Sequence, residues 1–333
     1  MRFAKGRSTR LLLTFFGAWV LAFGFAGSAH SAEKVSLQNW WVFTPNVAAF
    51  FTALEKGYYK EAGLEVEFIE GRGSSLSVQR VAAGNNDFAV CDLGTAALAI
   101  SRGVPIKGVA AFNQKSPMGV ISRAESKIGG PKDLEGKRLG ASPADAGKMI
   151  FPALASVNGV NVSRINMISV EPASRQKVLL AGEVDAIIAY FDNNVPELKA
   201  KGANITFFRY SDFKVNVLGG GIIVQEKTID ERPDTVRRFA RASMKGFGRA
   251  LENPEETVSF AMKRAPLSIP RRDVALETLQ STLALLHTER TQGKPLGWMA
   301  KEDWEDSIRL LSQYGGLKNP LPADRYYTNR FIE

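Results

Sequence analysis

The chain has 333 residues and a formal net charge of +9, from 43 basic and 34 acidic side chains. A single cysteine, Cys91, excludes an internal disulfide, and two histidines, His30 and His287, are too few for a histidine-rich metal site. Basic and acidic residues are interspersed, so no block of like charge indicates nucleic-acid binding. The length is sufficient for one large or two medium domains.

Residues 1–32 have the pattern of a secretory signal peptide. Basic side chains begin it, residues 11–26 are almost wholly apolar, and residues 28–32 are mostly small. A membrane anchor is the alternative, but the apolar run is short for a spanning helix and a cleavage site follows it directly. We therefore predict cleavage after Ser31 or Ala32 and export to the periplasm, which leaves His287 as the only histidine of the mature chain.

Residues 37–75 predict a β-α-β unit around which the first half of the chain is organised. Residues 37–41 favour a strand, 47–54 have helical spacing up to Gly57, and 64–68 alternate like a half-buried strand. The following loop, 71–75, reads Gly-Arg-Gly-Ser-Ser. Because ligands of open α/β sheets bind at the carboxyl ends of the strands, we expect the two loops to form half of a small-molecule site.

The same alternation continues through two series of strands and helices. The first series predicts further strands at residues 88–90 and 106–112. The second series predicts strands at 137–141, 165–170, 185–189 and 205–208. Alternating strands and helices favour parallel sheets covered on both faces.

A pattern that occurs at the same stage of both series supports two lobes. Residues 81–90 and 179–188 each end a helix at a glycine and begin a strand after an aspartate three residues later. From residue 219 the chain becomes helical, which suggests that it returns to cover its first lobe. The crossings would lie near residues 112–120 and 215–223, where glycines could absorb hinge rotation.

Two segments carry a family resemblance. Residues 55–66 read EKGYYKEAGLEV and residues 133–140 read DLEGKRLG. In order and spacing they resemble the periplasmic substrate-binding proteins of ABC importers that bind nitrate, sulfonates, taurine and the pyrimidine precursor of thiamine, over roughly residues 35–311. Residues 41–46 look more like the thiamine-pyrimidine subgroup, although the histidine that often follows Pro-Asn there is absent and position 49 is alanine.

The resemblance implies an α/β fold of type II, a two-lobed clamp in which each lobe is a mainly parallel sheet flanked by helices. Lobe 1 would comprise residues 33–115 and 220–333, including a helical C-terminal region, and lobe 2 residues 116–219. Ligand would bind between the lobes, and the monomer would then dock on a membrane permease, with no cofactor or metal. Fungal relatives that synthesise the thiamine pyrimidine need a histidine and a cysteine cluster, which this chain lacks, so we expect no enzymatic activity. A secreted enzyme is the alternative, and it would require His287 in the cleft.

Candidate ligand-binding residues in lobe 1 follow the first two predicted strands. Trp40, Trp41 and Phe43 could stack on a ring, or they could simply be packed. Asn46 suits either a ligand contact or a helix cap. In the glycine-rich loop, Arg72, Gly73 and Ser74 offer a cation, a backbone amide and a hydroxyl to an anion, at the start of a helix that favours negative charge.

The remaining candidates follow later strands. Asp92, with Thr95 in the same predicted loop, and Asp192 in the exit loop of the 185–189 strand could accept hydrogen bonds from an amine or aminopyrimidine. Alternatively, each aspartate is a solvated loop residue. Ser142 and Asp145 occupy the equivalent place in lobe 2, with helix capping as the alternative, and Tyr190 could close over the ligand. An aromatic slot with Asp92 and Asp192 favours a thiamine-pyrimidine-like heterocycle, whereas Arg72 with helix N-termini favours a sulfonate, taurine or nitrate.

Overall fold

The computed structural model describes Met1 and residues 32–143, 145–269 and 271–333. The predicted signal peptide therefore lies, apart from its first and last residues, outside the described part of the chain. Among the helices that are described, none has both the length and the apolar character needed to cross a bilayer.

Ten strands and twelve α-helices are present among the described residues. The strands are β1 (Glu33–Gln38), β2 (Leu64–Ile69), β3 (Phe88–Asp92), β4 (Ile106–Ala111), β5 (Met118–Arg123), β6 (Arg138–Ala141), β7 (Asn166–Ser169), β8 (Ala186–Tyr190), β9 (Ile205–Arg209) and β10 (Gly220–Gln225). The helices are α1 (Ala48–Glu55), α2 (Tyr58–Glu61), α3 (Ser74–Ala82), α4 (Leu93–Ile100), α5 (Ala146–Val157), α6 (Arg175–Leu180), α7 (Phe191–Ala200), α8 (Glu226–Glu231), α9 (Pro233–Glu252), α10 (Pro254–Arg264), α11 (Arg272–Leu283) and α12 (Lys301–Tyr314).

The strands form two five-stranded sheets with matching topology. The first sheet has the order β2-β1-β3-β10-β4 and the second the order β7-β6-β8-β5-β9. In each sheet one strand, β10 or β5, runs antiparallel to both of its neighbours, and the other four share one direction. Each of these two strands is the first after the chain crosses from the other sheet, so it enters from the opposite end.

The central strands of both sheets are buried on both faces, as the alternation of strands and helices predicts, whereas β2, β7 and β9 are partly exposed. Along β3, Phe88 and Val90 pack in one apolar core with α1 and α9, whereas Ala89 and Cys91 pack in a second core with α3 and α4. The ring of Phe88 stacks on Phe239 of α9 with the centroids 3.9 Å apart. The period of two along the strand therefore distributes its side chains between two cores.

The structure corrects the predicted boundaries at three places. The first strand ends at Gln38. The backbone N–H of Asn39 makes one more bond to β2, at Ile69 O, and the Asn39 side chain then donates to Trp41 O in the loop that follows. Trp40 and Trp41 therefore lie in a loop and not on a strand. The expected loops around Asp92 and Asp192 do not exist, because β3 and β8 pass directly into α4 and α7. Strand β5 was not predicted from the sequence. It begins at Met118, inside the segment 112–120 that was expected to be a crossing.

The glycines of the second crossing are required for close packing. A Cβ on Gly219 would lie 3.0 Å from Asn113 O, and one on Gly220 would lie 2.6 Å from Asn113 Oδ1. Gly219 also donates its backbone N–H to Asn113 O. These glycines therefore allow the two crossing segments to lie against each other, and the hinge rotation expected there stays a prediction.

The C-terminal helices contact both halves of the molecule. Helix α11 packs against α10 and also against α7 on the second sheet, and α12 packs against both α4 and α5. One apolar core accordingly runs from α4 through Trp304 of α12 to Phe151 of α5. The helical tail was expected to cover the first lobe, and it also braces the second.

Candidate functional site

A cleft of about 990 Å³ opens where the carboxyl ends of the parallel strands of both sheets meet. This is the edge at which open α/β sheets bind ligands. Its walls come from the segments that follow β1 and β2 in the first sheet and β6, β7 and β8 in the second. The lining residues are Trp40, Trp41, Val42, Thr44, Asn46, Arg72, Gly73, Ser74, Ser142, Asp145, Ala146, Ala173, Arg175, Gln176, Lys177, Leu180, Ala181, Tyr190, Asn193, Asn194, Glu197, Lys201 and Ser268.

Most of the residues predicted from the sequence lie in this lining. Those that do are Trp40, Trp41, Asn46, Arg72, Gly73, Ser74, Ser142, Asp145 and Tyr190. Those that do not are Phe43, Asp92, Thr95 and Asp192. The ring of Phe43 packs edge-on against Phe51 of α1, with the centroids 5.0 Å apart. Thr95 donates its backbone N–H to Asp92 as part of the cap of α4.

The glycine-rich loop does not offer its glycine amides to a ligand. The N–H of Gly71 donates to Trp41 O at 3.0 Å, and that of Gly73 donates to Trp40 O at 2.6 Å. A Cβ on Gly71 would lie only 1.9 Å from Asn39 O. The glycines therefore bring this loop against the tryptophan loop, and the expected contact of their amides with an anion is wrong for this arrangement. Arg72 is exposed and forms no ion pair with the part of the chain that is described.

Trp40, Tyr190 and Asp92 join the two sheets beneath the cleft. The rings of Trp40 and Tyr190 lie 6.2 Å apart, and Tyr190 Oη donates to Asp92 Oδ2 at 3.4 Å. Burial raises the pKa of Asp92 to about 7, and the nearby negative charge of Asp145 acts in the same direction. Hydrogen bonds from backbone amides and from Tyr190 oppose this shift only in part. Asp92 thus supports the wall of the cleft from behind Tyr190.

Asp192 has a different role from the predicted one. It lies in the first turn of α7, is 1% exposed, and its Oδ2 accepts a hydrogen bond from Thr282 Oγ1 of α11 at 3.1 Å. Burial raises the pKa of Asp192 to about 6. This carboxyl group therefore fastens α7 to α11 and does not face the cleft.

Arg175 is the most notable lining residue that sequence reasoning missed. It is 9% exposed, and its Nη2 lies 2.6 Å from Asp145 Oδ2 at the start of α5. Arg175 begins α6, which follows β7 at the same sheet edge as the predicted residues. The edge rule could have found it, since it stands shortly after the predicted strand 165–170.

A polar network on α6 and α7 was also missed. Gln176 donates to Asn194 Oδ1 at 3.2 Å and to Glu197, and Lys201 donates to Gln176 Oε1 at 2.5 Å. Asn193 and Asn194 belong to helix α7, which turns them towards the cleft. The signal that could have shown this is the continuous helical pattern after Tyr190.

The one histidine and the one cysteine in the described part of the chain both lie outside the cleft lining. His287 Nδ1 lies 3.0 Å from Thr291 O, and the residue is outside the cleft lining. Cys91 is fully buried in β3, and burial raises the pKa of its thiol. Among the described residues no cluster of histidine, cysteine, aspartate and glutamate could hold a metal ion.

Comparison with known proteins finds relatives that match most of the chain. The riboflavin-binding protein RibY of Chloroflexus aurantiacus is 26% identical over 298 residues, covering 87% of this chain and 84% of that protein. The formylaminopyrimidine-binding protein of Halalkalibacterium halodurans is 23% identical over 308 residues, covering 91% and 92%. A 4-amino-5-hydroxymethyl-2-methylpyrimidine phosphate synthase of Legionella pneumophila is 23% identical over 312 residues, covering 90% and 92%. Two of these relatives are thus named as binding proteins and one as an enzyme.

The fold is shared with solved binding proteins. The alkanesulfonate-binding protein SsuA of Xanthomonas axonopodis pv. citri, bound to MOPS, matches with a TM-score of 0.67 at 13% identity, over 89% of this chain and 98% of that one. The family model described as NMT1/THI5 like matches residues 44–257, well over half of the chain. The chain therefore belongs to the NMT1/THI5-like family and has the two-lobed fold of the periplasmic binding proteins.

Proposed function

We propose that this protein is the solute-binding component of an ABC importer. It captures a small nitrogen heterocycle of the thiamine-pyrimidine type between its lobes and delivers it to a permease in the inner membrane. The observation that carries the proposal is the cleft of about 990 Å³ at the joined sheet edges, with aromatic and polar side chains from both sheets. Clefts of about 300–1,000 Å³ are typical of small-molecule sites.

The proposed lobes follow the two sheets. Lobe 1 comprises residues 33–115 and 220–333, and lobe 2 comprises residues 116–219. In support, β1 to β4 and β10 form the first sheet, and β5 to β9 form the second. Residues 1–32 serve as the export signal in this proposal, and the mature monomer works in the periplasm.

The cleft favours a heterocycle over a simple anion. Trp40, Trp41 and Tyr190 supply aromatic surface from both sheets, suited to a flat ring. At the N-terminus of α5, where an anion would gain from the helix dipole, the carboxylate of Asp145 already lies beside Arg175. Two relatives are also named for nitrogen heterocycles, riboflavin and formylaminopyrimidine.

A sulfonate, taurine or nitrate is the second candidate. Arg72 favours it, since this exposed cation on the cleft wall has no ion-pair partner in the described part of the chain. An enzyme on the same fold is less well supported, because His287 lies outside the cleft lining and Cys91 is buried away from it. Capture and handover without bond chemistry therefore remain the proposal.

A thermal-shift screen of the mature protein tests this function. The probes are formylaminopyrimidine, riboflavin, taurine, methanesulfonate and nitrate. We expect a heterocycle to raise the unfolding midpoint, since a ligand at about 100 times its Kd adds about 2.7 kcal/mol of stability. A shift with the anions alone would replace the heterocycle by the second candidate.

A pair of tryptophan variants locates the site within this screen. Trp41→Leu removes a half-buried ring from the cleft, and Trp298→Leu removes a similarly half-buried ring outside it. We expect the shift to be lost in the first variant and kept in the second. Equal losses in both would argue against the cleft as the binding site.

A further inference from the structure

Arg175 makes fewer hydrogen bonds than a buried structural arginine is expected to make. Its side chain is 11% exposed and its Nε is buried, yet Nε has no hydrogen-bond partner among the residues that the structure describes. Its single charge contact is Nη2 to Asp145 Oδ2 at 2.6 Å. Burying a charge costs free energy unless the charge is both paired and hydrogen-bonded. The burial of an arginine whose Nε has no hydrogen-bond partner is therefore not explained by stability.

Arg138 on the same sheet provides the internal comparison. Its Nε and Nη2 donate to the two carboxylate oxygens of Asp185 at 3.2 and 2.8 Å, and Nη2 also donates to Gly182 O at 2.8 Å. Arg138 thus makes three side-chain hydrogen bonds although its side chain is 40% exposed. Arg175 is more deeply buried and makes fewer contacts, and it lines the cleft.

Asp145 is similarly incomplete. It precedes α5 as the N-cap residue, but its side chain accepts no hydrogen bond from the helix amides. Its carboxylate faces the cleft beside the guanidinium, which gives the wall a donor next to an acceptor. A ligand that has only hydrogen-bond acceptors would be repelled by the carboxylate of Asp145. A ligand that has only donors would leave the remaining N–H groups of Arg175 without a partner.

We infer that Arg175 and Asp145 together determine ligand specificity by reading an edge in which a hydrogen-bond acceptor stands beside an N–H donor. Such an edge occurs in aminopyrimidines, where a ring nitrogen neighbours an amino group, and in the imide ring of flavins. Sulfonates and nitrate lack it. This inference rests on the proposed function, because it assigns the polar half of recognition in the same cleft, opposite the aromatic residues Trp40 and Trp41.

The first test measures binding of formylaminopyrimidine and of riboflavin by calorimetry. Arg175→Met and Asp145→Asn should each weaken the heterocycle that binds by about 10- to 100-fold, the loss expected for a charge-assisted hydrogen bond. Arg175→Lys should recover only part, since an ammonium lacks the planar fork. The matched control is Arg164→Met, which removes an arginine whose side chain is 66% exposed and pairs with Glu135. Full affinity in Arg175→Met, or equal losses in the control, would overturn the inference.

The second test needs no ligand. If the pair is kept for recognition, the double variant Arg175→Met/Asp145→Asn should leave the unfolding midpoint of the free protein unchanged or higher, because a buried ion pair with few further hydrogen bonds contributes little net stability. A midpoint lower by several degrees would assign the pair a structural role. Should wild type bind neither heterocycle, the proposed ligand class fails, and this second measurement alone decides whether the pair is a recognition element.

Discussion

Asp92 illustrates how the position of one residue changes its chemistry. The sequence places it after a strand, which suggested a loop acid that binds the ligand or is solvated, but β3 continues through Asp92 and α4 begins at the next residue. Its side chain caps α4 by accepting from Thr95 N–H at 3.1 Å, and it is 1% exposed. Burial raises its pKa to about 7, so this carboxyl group exchanges its proton near neutral pH.

The raised pKa predicts a specific pH dependence of stability. Between about pH 4 and 7 the native state holds a proton that the unfolded chain has released, so the free energy of unfolding falls as the pH rises. Asp92→Asn should remove the part of this slope that Asp92 causes and leave the smaller part due to the raised pKa of Asp192, while keeping a residue that can cap α4. From pH 5 to pH 8, we expect wild type to lose roughly 2–3 kcal/mol more than the variant in urea unfolding.

Asp273→Asn is the control for this experiment. Asp273 is exposed, and its hydrogen bond with Arg271 lowers its pKa, so it is ionised in both states above pH 5. Its removal should leave the slope between pH 5 and 8 as in wild type. If Asp92→Asn retained the full wild-type slope, the proton would have to be held by another group.

At the scale of elements, the contact between α7 and α11 decides how the second sheet is held. Asp192 of α7 and Thr282 of α11 form a buried hydrogen bond, and Lys199 pairs with Glu277 at 3.0 Å on the exposed side. The sequence shows two amphipathic segments about 80 residues apart. The return of the chain after β10 was expected to cover the first lobe, but the packing of α11 against α7 on the second sheet was not predicted.

A matched pair of threonine variants tests this contact. Thr282→Val removes the hydroxyl that donates to Asp192 and leaves a buried carboxyl without that partner, which should cost about 1–3 kcal/mol of unfolding free energy. Thr278→Val changes the same residue type one turn earlier, where the buried hydroxyl has no partner among the described residues, and should be neutral or stabilising.

The two threonine variants are compared by urea unfolding at pH 8. Because burial raises the pKa of Asp192 to about 6, the carboxyl group is charged there and its need for a donor is greatest. The loss in Thr282→Val should therefore shrink at pH 5. Equal stability of the two variants at pH 8 would show that the α7–α11 contact does not depend on this bond.

For the whole molecule, the two sheets are joined more firmly than a simple clamp requires. The crossing segments pack glycine against side chain at Gly219 and Gly220, and a shared apolar core passes through α12. Tyr190 and Asp92 add a hydrogen bond across the floor of the cleft. Any closing rotation must therefore keep these contacts near the crossings and act mainly at the outer cleft, where Arg72 and Lys201 lie.

Closure on ligand is measurable by small-angle X-ray scattering. We expect the heterocycle that raises the unfolding midpoint to lower the radius of gyration, because both lobes contribute to its binding and water leaves the cleft. Arg175→Met at the same ligand concentration should remain open, since it would be largely unliganded. An unchanged radius with saturating ligand would mean that the described arrangement is already the closed one.

The sequence alone was sufficient for much of this protein. Local periodicity, glycine stops and the two motifs at 55–66 and 133–140 predicted the strand–helix alternation, two lobes and the family, since such patterns depend on short-range geometry. The edge rule for α/β sheets also placed nine of the thirteen candidate residues in the lining of the cleft. These inferences needed only the order of elements and the chemistry of neighbouring residues.

Tertiary structure decided what depends on distant contacts. Burial by other elements removed Asp92 and Asp192 from the cleft, although their local sequence resembles a site. The amides of Gly71 and Gly73 are occupied because a loop some 30 residues earlier lies against them. Arg175 and Asp145 meet only because β6 and β7 are neighbours, so their pairing is set by sheet topology and is invisible to any pattern of adjacent residues.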